Sequence, residues 1–166
     1  MALEFEDDFE TYAGTRLFVK ASKPSTNTET AWETFFTTGA EEITITSVGI
    51  TSGREYSTST VSVVSSGRNR EKLGEFTYGS TEFPILWLKD QPGQVTARTA
   101  NETREIISFA EVSALGEVTY FTAQVSTFQP SGGGNNDART GTMSLLRQSD
   151  SVIAETPVAP VVDDTP

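Results

Sequence analysis

The stretch from Val118 to Arg147 restricts the possible folds of this chain more than any other part. Apolar and polar residues alternate in both halves of it, and a period of two is typical of half-buried β-strands. The apolar positions are Phe121, Ala123, Val125, Met143 and Leu145. Pro130 ends the first strand because proline has no amide proton for a sheet ladder, and the SGGGNND that follows permits the conformations of a hairpin tip. The sequence therefore predicts one long hairpin with an apolar face and a face of small, uncharged polar side chains.

The rest of the chain contains short segments of the same kind, separated by glycine-containing turns. Strand patterns cover residues 16–21, 32–36, 42–48, 57–64, 83–88 and 106–112. One short helix is predicted from Asp90 to Ala100, with Asp90 as its N-cap and Pro92 in its first turn. Together these patterns predict a mainly β fold, a β-sandwich or barrel with one short helix and a long extended hairpin loop.

The expected domain organisation follows from where these patterns begin and end. Residues 1–12 are predicted to be an acidic N-terminal arm, and residues 13–153 a single β-sandwich domain. Residues 154–166 form a proline-rich acidic tail. Three prolines and no periodicity follow Ser151, so the chain is expected to be extended or disordered from there onward.

The predicted long hairpin loop runs from Ser57 to Tyr78 and has few apolar residues of its own. A long excursion with little core is usually functional or mobile. Its predicted tip carries three of the chain's 12 basic residues within five positions. Those positions are Arg68, Asn69, Arg70, Glu71 and Lys72. This density of charge is typical either of a docking surface or of a solvated loop.

The net charge of −11 is concentrated at the two ends of the chain. Residues 1–10 contain five acids, among them Glu6, Asp7 and Asp8, and residues 150–166 contain four. Neither stretch has a Lys or Arg, so the middle, with 14 acids and all 12 bases, is nearly neutral. The absence of a basic stripe argues against nucleic-acid binding through phosphate contacts.

The residue types present argue against catalysis. The chain has no cysteine and no histidine, so thiolate nucleophiles, the commonest general base and the commonest zinc ligand are missing. The glycine-rich loop lacks the Lys-Ser/Thr of a phosphate-binding loop, and Asn135, Asn136 and Asp137 offer too few carboxylates for calcium. No apolar run approaches the roughly 20 residues of a membrane helix. We expect no catalytic residue, no cofactor, no metal site and no membrane insertion.

The strand YFTAQVSTFQP, the polar loop after it and the closing TGTMSLLRQSDSVI resemble the major tail tube proteins of long-tailed, lambda-like bacteriophages (siphoviruses). The early GTRLFVKASKPSTNTETAW and the later GQVTARTAN are similar to that family in order and spacing. The resemblance covers Gly14 to Ile153. It implies a structural virion protein whose subunits, each a β-sandwich with one helix, form hexameric rings. The rings would stack into a tail tube that delivers DNA to the host.

The resemblance also implies partners and a location. Besides self-association, the expected partners are the tail tip or baseplate, the tape measure protein and the tail terminator. The protein would be assembled in the bacterial cytoplasm and reside in the virion tail, where DNA passes through without specific binding.

Two surfaces are expected to matter in such a tube. A bore that passes DNA without gripping it needs few basic residues, and neutral polar side chains meet that need. The residues expected to face the bore are Thr122, Gln124, Ser126, Thr142 and Ser144. The charged positions 68–72 are expected to contact subunits of the next ring, with Glu6, Asp7 and Asp8 as acidic partners. Opposite charges at an interface steer assembly and fix its register.

Two other interpretations stay open at this stage. The chain could be the tube protein of a bacterial contractile or secretion system, which would also form hexamers. It could instead be a monomeric β-sandwich that binds sugar or protein, such as a virion decoration module. Its aromatic platform would then come from Trp32, Phe35, Phe36 and Trp87. Size separates the two classes, because a tube protein forms rings or filaments and a binding module stays monomeric.

Overall fold

A computed structural model of the chain describes residues 12–114 and 116–154. The strands of this part are β1 (Arg16–Lys20), β2 (Glu41–Ile43), β3 (Glu55–Val63), β4 (Arg68–Thr77), β5 (Ser80–Leu86), β6 (Ile106–Val112), β7 (Val118–Pro130), β8 (Thr140–Arg147) and β9 (Val152–Ala154). The helices are α1 (Glu29–Phe35) and α2 (Pro92–Thr103). The fold is mainly β with antiparallel sheets, and this confirms the predicted class.

Seven strands form one antiparallel sheet. Six of them lie in the order β2-β1-β6-β7-β8-β5, and β9 pairs with the beginning of β7. The two ends of this order are also joined, because in the segment that follows β2 Ile45 bridges Ile85 of β5 and the Thr46 amide donates to the Pro84 carbonyl at 2.8 Å. The sheet therefore closes around a core, and this contact pairs backbone groups that two free edges would expose.

The enclosed face of the sheet carries the main hydrophobic core. All five apolar positions predicted from the alternation in residues 118–147 are buried there, as the pattern requires. Phe109 of β6 stacks on Phe121 of β7 with ring centroids 5.4 Å apart. Helix α2 covers this face with Ala97 and Ala100, whose small side chains let the helix pack closely on the strands.

Buried amides fix the start of α2. Gln94 is fully buried, and its side chain accepts from the Leu88 amide at 3.1 Å and donates to the Leu86 carbonyl at 2.6 Å. Its Nε2 also donates to the Gln91 side chain, which in turn accepts from the Thr44 amide. These bonds satisfy polar groups that burial would otherwise leave unpaired. The N-cap is Gln91 and not the predicted Asp90, and no side chain caps the first turn.

Helix α1 packs against the opposite face of the sheet. Its N-cap is Thr28, whose hydroxyl accepts from the Ala31 amide at 3.4 Å, and it buries Trp32. The Trp32 ring stacks on that of Tyr120 of β7 at 5.6 Å. The strand predicted at residues 32–36 is therefore wrong, and the described chain has two helices where the sequence predicted one. The physical reason is that Trp32, Phe35 and Phe36 together bury more apolar surface as one helical stripe.

The ends of several other elements also differ from the prediction. The strand predicted at 42–48 is regular only over Glu41–Ile43, and the hairpin strand predicted at 57–64 begins at Glu55. The chain after Ser151 is not simply a loose tail, because residues 152–154 form β9 on β7. Residues 1–11 of the predicted arm (1–12) and residues 155–166 of the predicted tail (154–166) lie outside the described residues.

Tyr120 gives the first prediction, because its buried hydroxyl makes no hydrogen bond within the described part of the chain. Burial, with smaller effects of the Glu33 and Glu29 carboxylates, raises its pKa to about 12. An unfolded tyrosine titrates near pH 10, so the unfolded state loses its proton first as the pH rises. The free energy of unfolding is therefore independent of this ionisation below about pH 10. Between pH 10 and pH 12 it falls by about 1.4 kcal/mol per pH unit.

The variant Tyr120→Phe is expected to be at least as stable as wild type at neutral pH, since an unpaired buried polar group costs about 1–3 kcal/mol. It should also lose less stability between pH 10 and pH 12. Urea unfolding across this pH range measures both effects. Tyr12→Phe is the control, because Tyr12 is 75% exposed and this variant should follow wild type. An unchanged alkaline loss of stability in Tyr120→Phe would contradict the assignment.

Candidate assembly surface

The hairpin of β3 and β4 stands apart from the main sheet. Its strands pair only with each other, from Glu55 opposite Thr77 to Val63 opposite Arg68. Almost every residue in both strands is exposed. A two-stranded hairpin without a packed face is only marginally stable by itself. The long hairpin predicted from the sequence is therefore present, and its surface is unoccupied in the single chain.

The charged residues of this hairpin lie along a strand, not at the tip. The turn is formed by residues 64–67, and Gly67 adopts φ +60° there. Directly opposed residues of antiparallel strands share a face, and successive residues alternate between faces. Arg68, Arg70 and Lys72 therefore share one face of β4, which we call the basic face. The predicted charged tip is corrected to a row of three cations along β4.

The remaining predicted contact residues of the hairpin occupy its other face. Asn69 and Glu71 alternate with the three cations, and Asn69 accepts from the Ser62 hydroxyl at 2.9 Å. Leu73, which is 62% exposed, follows on the same face. The five residues proposed from the sequence thus belong to two different surfaces, one cationic and one mixed.

Arg147 of β8 ties both roots of the hairpin to the core. Its guanidinium donates to the carbonyls of Thr51 at 3.2 Å and Gly53 at 2.8 Å, which precede β3, and to the carbonyl of Tyr78, which follows β4. Arg147 is only 7% exposed. Burial lowers the pKa of this guanidinium, and the Asp150 carboxylate opposes the shift. No sequence pattern could reveal this role, since the partners are backbone groups 69 to 96 residues away.

A second arginine braces the same root from outside. Arg54 Nε donates to Asp150 Oδ1 at 2.7 Å, and its guanidinium also lies 4.7 Å from the centroid of the Phe76 ring. The hydrogen bonds from Arg54 lower the pKa of the Asp150 carboxyl. Both side chains are about two-fifths exposed, so this pair contributes less than the buried Arg147 contacts.

The outer face of the main sheet is covered only in part. Helix α1 packs over β1, β6 and the first half of β7, where Phe18, Ala110 and Tyr120 are buried. The same face of β5, β8 and the second half of β7 has no covering element within the described residues, and we call it the open face. Strand register sets out nine residues there in three rows. The rows are Gln124–Leu146–Ser80, Thr127–Ser144–Glu82 and Gln129–Thr142–Pro84.

The open face is mostly polar and nearly uncharged, with Leu146 and Pro84 as its apolar members. Its nine residues include one acid, Glu82, and no Lys or Arg. Gln124, Thr142 and Ser144 of the predicted bore-facing set lie on it. Ser126 sits at the register shift between Val125 and Thr127, where its hydroxyl donates to the Ser144 carbonyl at 3.1 Å. The structure therefore brings four of the five predicted residues together at one surface.

Thr122 is the exception in the predicted set. It is only 7% exposed, its amide donates to Ser149 Oγ at 3.1 Å, and its carbonyl accepts from the Gln148 amide at 2.8 Å. The chain returning from β8 therefore covers it, and in the single chain it does not belong to the open face. Sequence reasoning also missed Glu82 and Leu146, because β5 joins the surface only through long-range pairing with β8.

The structure buries two of the four residues expected for the aromatic platform of a monomeric binding module, and it leaves Phe35 and Trp87 partly buried in separate clusters. Trp32 and Phe36 are each only 1% exposed and form the core beneath α1. Among residues 12–114 and 116–154, no group of three or more acidic, histidine or cysteine side chains is placed to hold a metal ion. Neither described helix has the length and apolar character needed to cross a membrane.

Comparison with known proteins identifies solved structures that have a similar fold. No protein-family model matches the sequence, and no curated protein sequence matches it. Solved structures do match. The tail tube of SPP1 has a TM-score of 0.57 at 13% identity, over 90% of this chain and 78% of the other. The tail of an empty gene transfer agent (GTA) particle, refined with C6 symmetry, has a TM-score of 0.58 at 10% identity, over 92% and 99%.

A contractile machine also carries this fold. The sheath/tube terminator structure of an extracellular contractile injection system, PVC, matches with a TM-score of 0.59 at 9% identity, over 92% of this chain and 99% of the other. At such low identities these likenesses show a shared fold. The chain therefore has the fold found in phage-like tails and contractile injection systems.

Proposed function

We propose that this protein is a structural subunit of a tail tube, polymerising as hexameric rings that stack into a conduit for DNA. The observation that carries the proposal is the open face on a closed sheet. A helix covers one half of the outer surface, while neutral polar side chains occupy the other half without cover. A wall of this kind lets a polyanion pass without holding it. Gln124, Ser126, Thr142 and Ser144 line the bore in this proposal, and Thr122 joins them only if assembly displaces the segment that covers it.

The similar structures support the ring and the location. One carries C6 symmetry and another is a six-fold symmetrised baseplate of the anti-feeding prophage. By analogy, the subunit associates with itself, with tail tip or baseplate, tape measure and terminator proteins, and is found in a virion tail after assembly in the bacterial cytoplasm. The lambda-like siphovirus tail is our preferred setting because the sequence resemblance points there.

The β3–β4 hairpin makes the contacts between rings in this proposal. Arg68, Arg70 and Lys72 present three positive charges on a chain of net charge −11, so a neighbouring copy is an electrostatically favourable partner. Asn69 and Glu71 meet a different part of the interface from the opposite face of the hairpin. Glu6, Asp7 and Asp8 are proposed as further subunit contacts.

A second candidate is the tube of a contractile injection system, which the PVC and anti-feeding prophage structures favour. The two candidates share rings and a bore, and they differ in whether a sheath surrounds the tube. Co-purification of the assembled tubes with a sheath protein from the native source would favour the contractile candidate.

Negative-stain microscopy of the concentrated protein tests the class. Hexameric rings or hollow tubes are the expected result. A protein that stays monomeric at every concentration and salt condition would contradict the proposal and favour the binding module.

Cysteine labelling tests which surface lines the bore. The chain has no cysteine, so Ser144→Cys and Thr34→Cys each introduce a unique thiol, on the open face and on the exposed side of α1. A maleimide carrying a polymer too bulky for the bore should label both variants before assembly. After assembly Ser144→Cys should be protected from the bulky reagent yet still react with a small maleimide. Equal bulky labelling of Ser144→Cys before and after assembly would rule out a bore position.

A further inference from the structure

An aromatic pair flanked by two arginines lies beyond the last residue of β5, the opposite end of that strand from the one joined to the β3–β4 hairpin. Trp87 and Phe128 are partly exposed, with ring centroids 5.3 Å apart. The guanidinium carbons of Arg98 and Arg139 each lie 5.7 Å from the centroid of the Trp87 ring, and Arg98 is 5.8 Å from that of Phe128. A cation that lies over the face of an aromatic ring is attracted to that ring. We call these four residues the Trp87 surface.

The backbone holds this surface in place. The Trp87 amide donates to the Arg139 carbonyl at 2.9 Å, which extends the β5–β8 ladder beyond the end of β5. The Trp87 ring covers Gly141, where a side-chain carbon would come within 2.6 Å of Trp87 Cε3. Arg98 projects from α2, whose start is fixed by buried amides. Three elements thus position the rings and the cations together without any contact from the hairpin.

The two cations of this surface are short of partners. The described part of the chain contains two ion pairs, Arg16–Glu42 and Arg54–Asp150, and neither involves Arg98 or Arg139. Arg98 donates one hydrogen bond, to the Lys89 carbonyl at 3.3 Å. A guanidinium has five N–H donors in a fork that matches a carboxylate. The surface can therefore bind carboxylates next to an aromatic side chain.

A segment of that chemistry is present in the same sequence. Residues 4–10 read EFEDDFE, in which five carboxylates surround Phe5 and Phe9 and no base is present. We propose that the Trp87 surface binds this acidic segment from a second copy of the chain. This inference rests on the proposed self-association, which supplies the second copy at high local concentration. It gives Glu6, Asp7 and Asp8 a receptor that is separate from the basic face of the hairpin.

A synthetic peptide of residues 1–11 tests the site on the dilute, full-length protein, without requiring tubes. Trp87 emission is expected to change on titration, while the buried Trp32 gives a constant background and Trp87→Phe identifies the signal. Replacement of Arg98 and Arg139 by Gln should weaken binding by about tenfold for each arginine, because each loses a charge-assisted hydrogen bond. A peptide with Gln and Asn in place of its acids should bind as weakly.

The matched control is Arg68→Gln with Arg70→Gln, which removes the same charge from the hairpin and should bind the peptide like wild type. If both double variants bind the peptide equally weakly, the loss of binding is due to net charge alone, and the proposed site is wrong. Absence of peptide binding would overturn it too. So would stronger binding of a single-stranded DNA oligonucleotide than of the peptide. Occupancy by the chain's own segment, detected as a change in Trp87 emission at every dilution when the acids of residues 4–10 are replaced by Gln and Asn, would also refute a second-copy site. Tube formation is scored separately by microscopy, so failure of the site and failure of the tube proposal give different results.

Discussion

Replacement of Arg147 by Met is expected to lower the free energy of unfolding by about 3 kcal/mol and to release the hairpin from the core. The substitution keeps an unbranched side chain of similar reach but removes every donor. The carbonyls of Thr51, Gly53 and Tyr78 would then lose their shared partner at a site that is nearly inaccessible to water. Urea unfolding measures the loss of stability. Hydrogen exchange should show faster exchange in β3, β4 and residues 51–54.

Arg54→Met is the matched control for this prediction. It removes the same type of side chain at the same root, but Arg54 and Asp150 are both substantially exposed. Its effect on unfolding should be much smaller, since exposed ion pairs contribute little. Equal losses of stability in the two variants would show that burial of Arg147 does not matter. A stable Arg147→Met protein with an unchanged hairpin would show that the roots are fixed by other contacts.

The part of the fold that depends on local periodicity could be predicted from the sequence. Alternation in β7 and β8 predicted which side chains enter the core, because strand geometry fixes that choice residue by residue. Helix α1 was missed although Trp32, Phe35 and Phe36 have the i, i+3, i+4 spacing of a helical stripe. In so short a segment aromatic residues also favour strands, and only packing against Tyr120 decides between the two.

The candidate surfaces depended more on long-range pairing. The alternation of Arg68, Arg70 and Lys72 was visible in the sequence, and it would have placed them on one face if the turn had been located at residues 64–67. The burial of Thr122 was not visible, because residues 148–149 cover it only after β8 has paired with β7. Arg147 was invisible for the same reason, since its partners are backbone carbonyls brought together by the closed sheet.

Reversal of charge on the basic face, Arg68→Glu with Arg70→Glu, is expected to leave the subunit folded and to slow tube growth by at least about tenfold. Both side chains are exposed, so the single chain loses little when they change. Three aligned cations would become two anions and one cation, and an acidic neighbour would then be repelled. Light scattering and microscopy measure growth, and circular dichroism confirms the fold. Wild-type growth should itself slow with added salt, because screening weakens exposed charges.

A charge-matched pair of variants separates position from net charge. Arg68→Gln with Arg70→Gln removes two positive charges from the basic face, whereas Thr34→Glu with Thr99→Glu adds two negative charges to the exposed sides of α1 and α2, away from the hairpin. Both change the net charge equally. Slower growth is expected mainly in the first variant. If both variants grow like wild type, the hairpin is only solvated surface, which is the alternative that the sequence left open.

The direct continuity of β4 with β5 has a mechanical consequence. Only Tyr78 and Gly79 lie between the last residue of β4 and the first residue of β5, and Gly79 turns the chain there with φ +75°. Strand β5 then carries Glu82 and Pro84 of the open face and is clamped between β8 and residues 44–46. A force that pulls on the hairpin is therefore transmitted to β5, which is hydrogen-bonded on both sides. The force then acts as shear on many hydrogen bonds at once. In the proposed tube, a ring pulled by its neighbour would therefore transmit the force to the strand that we propose lines its bore.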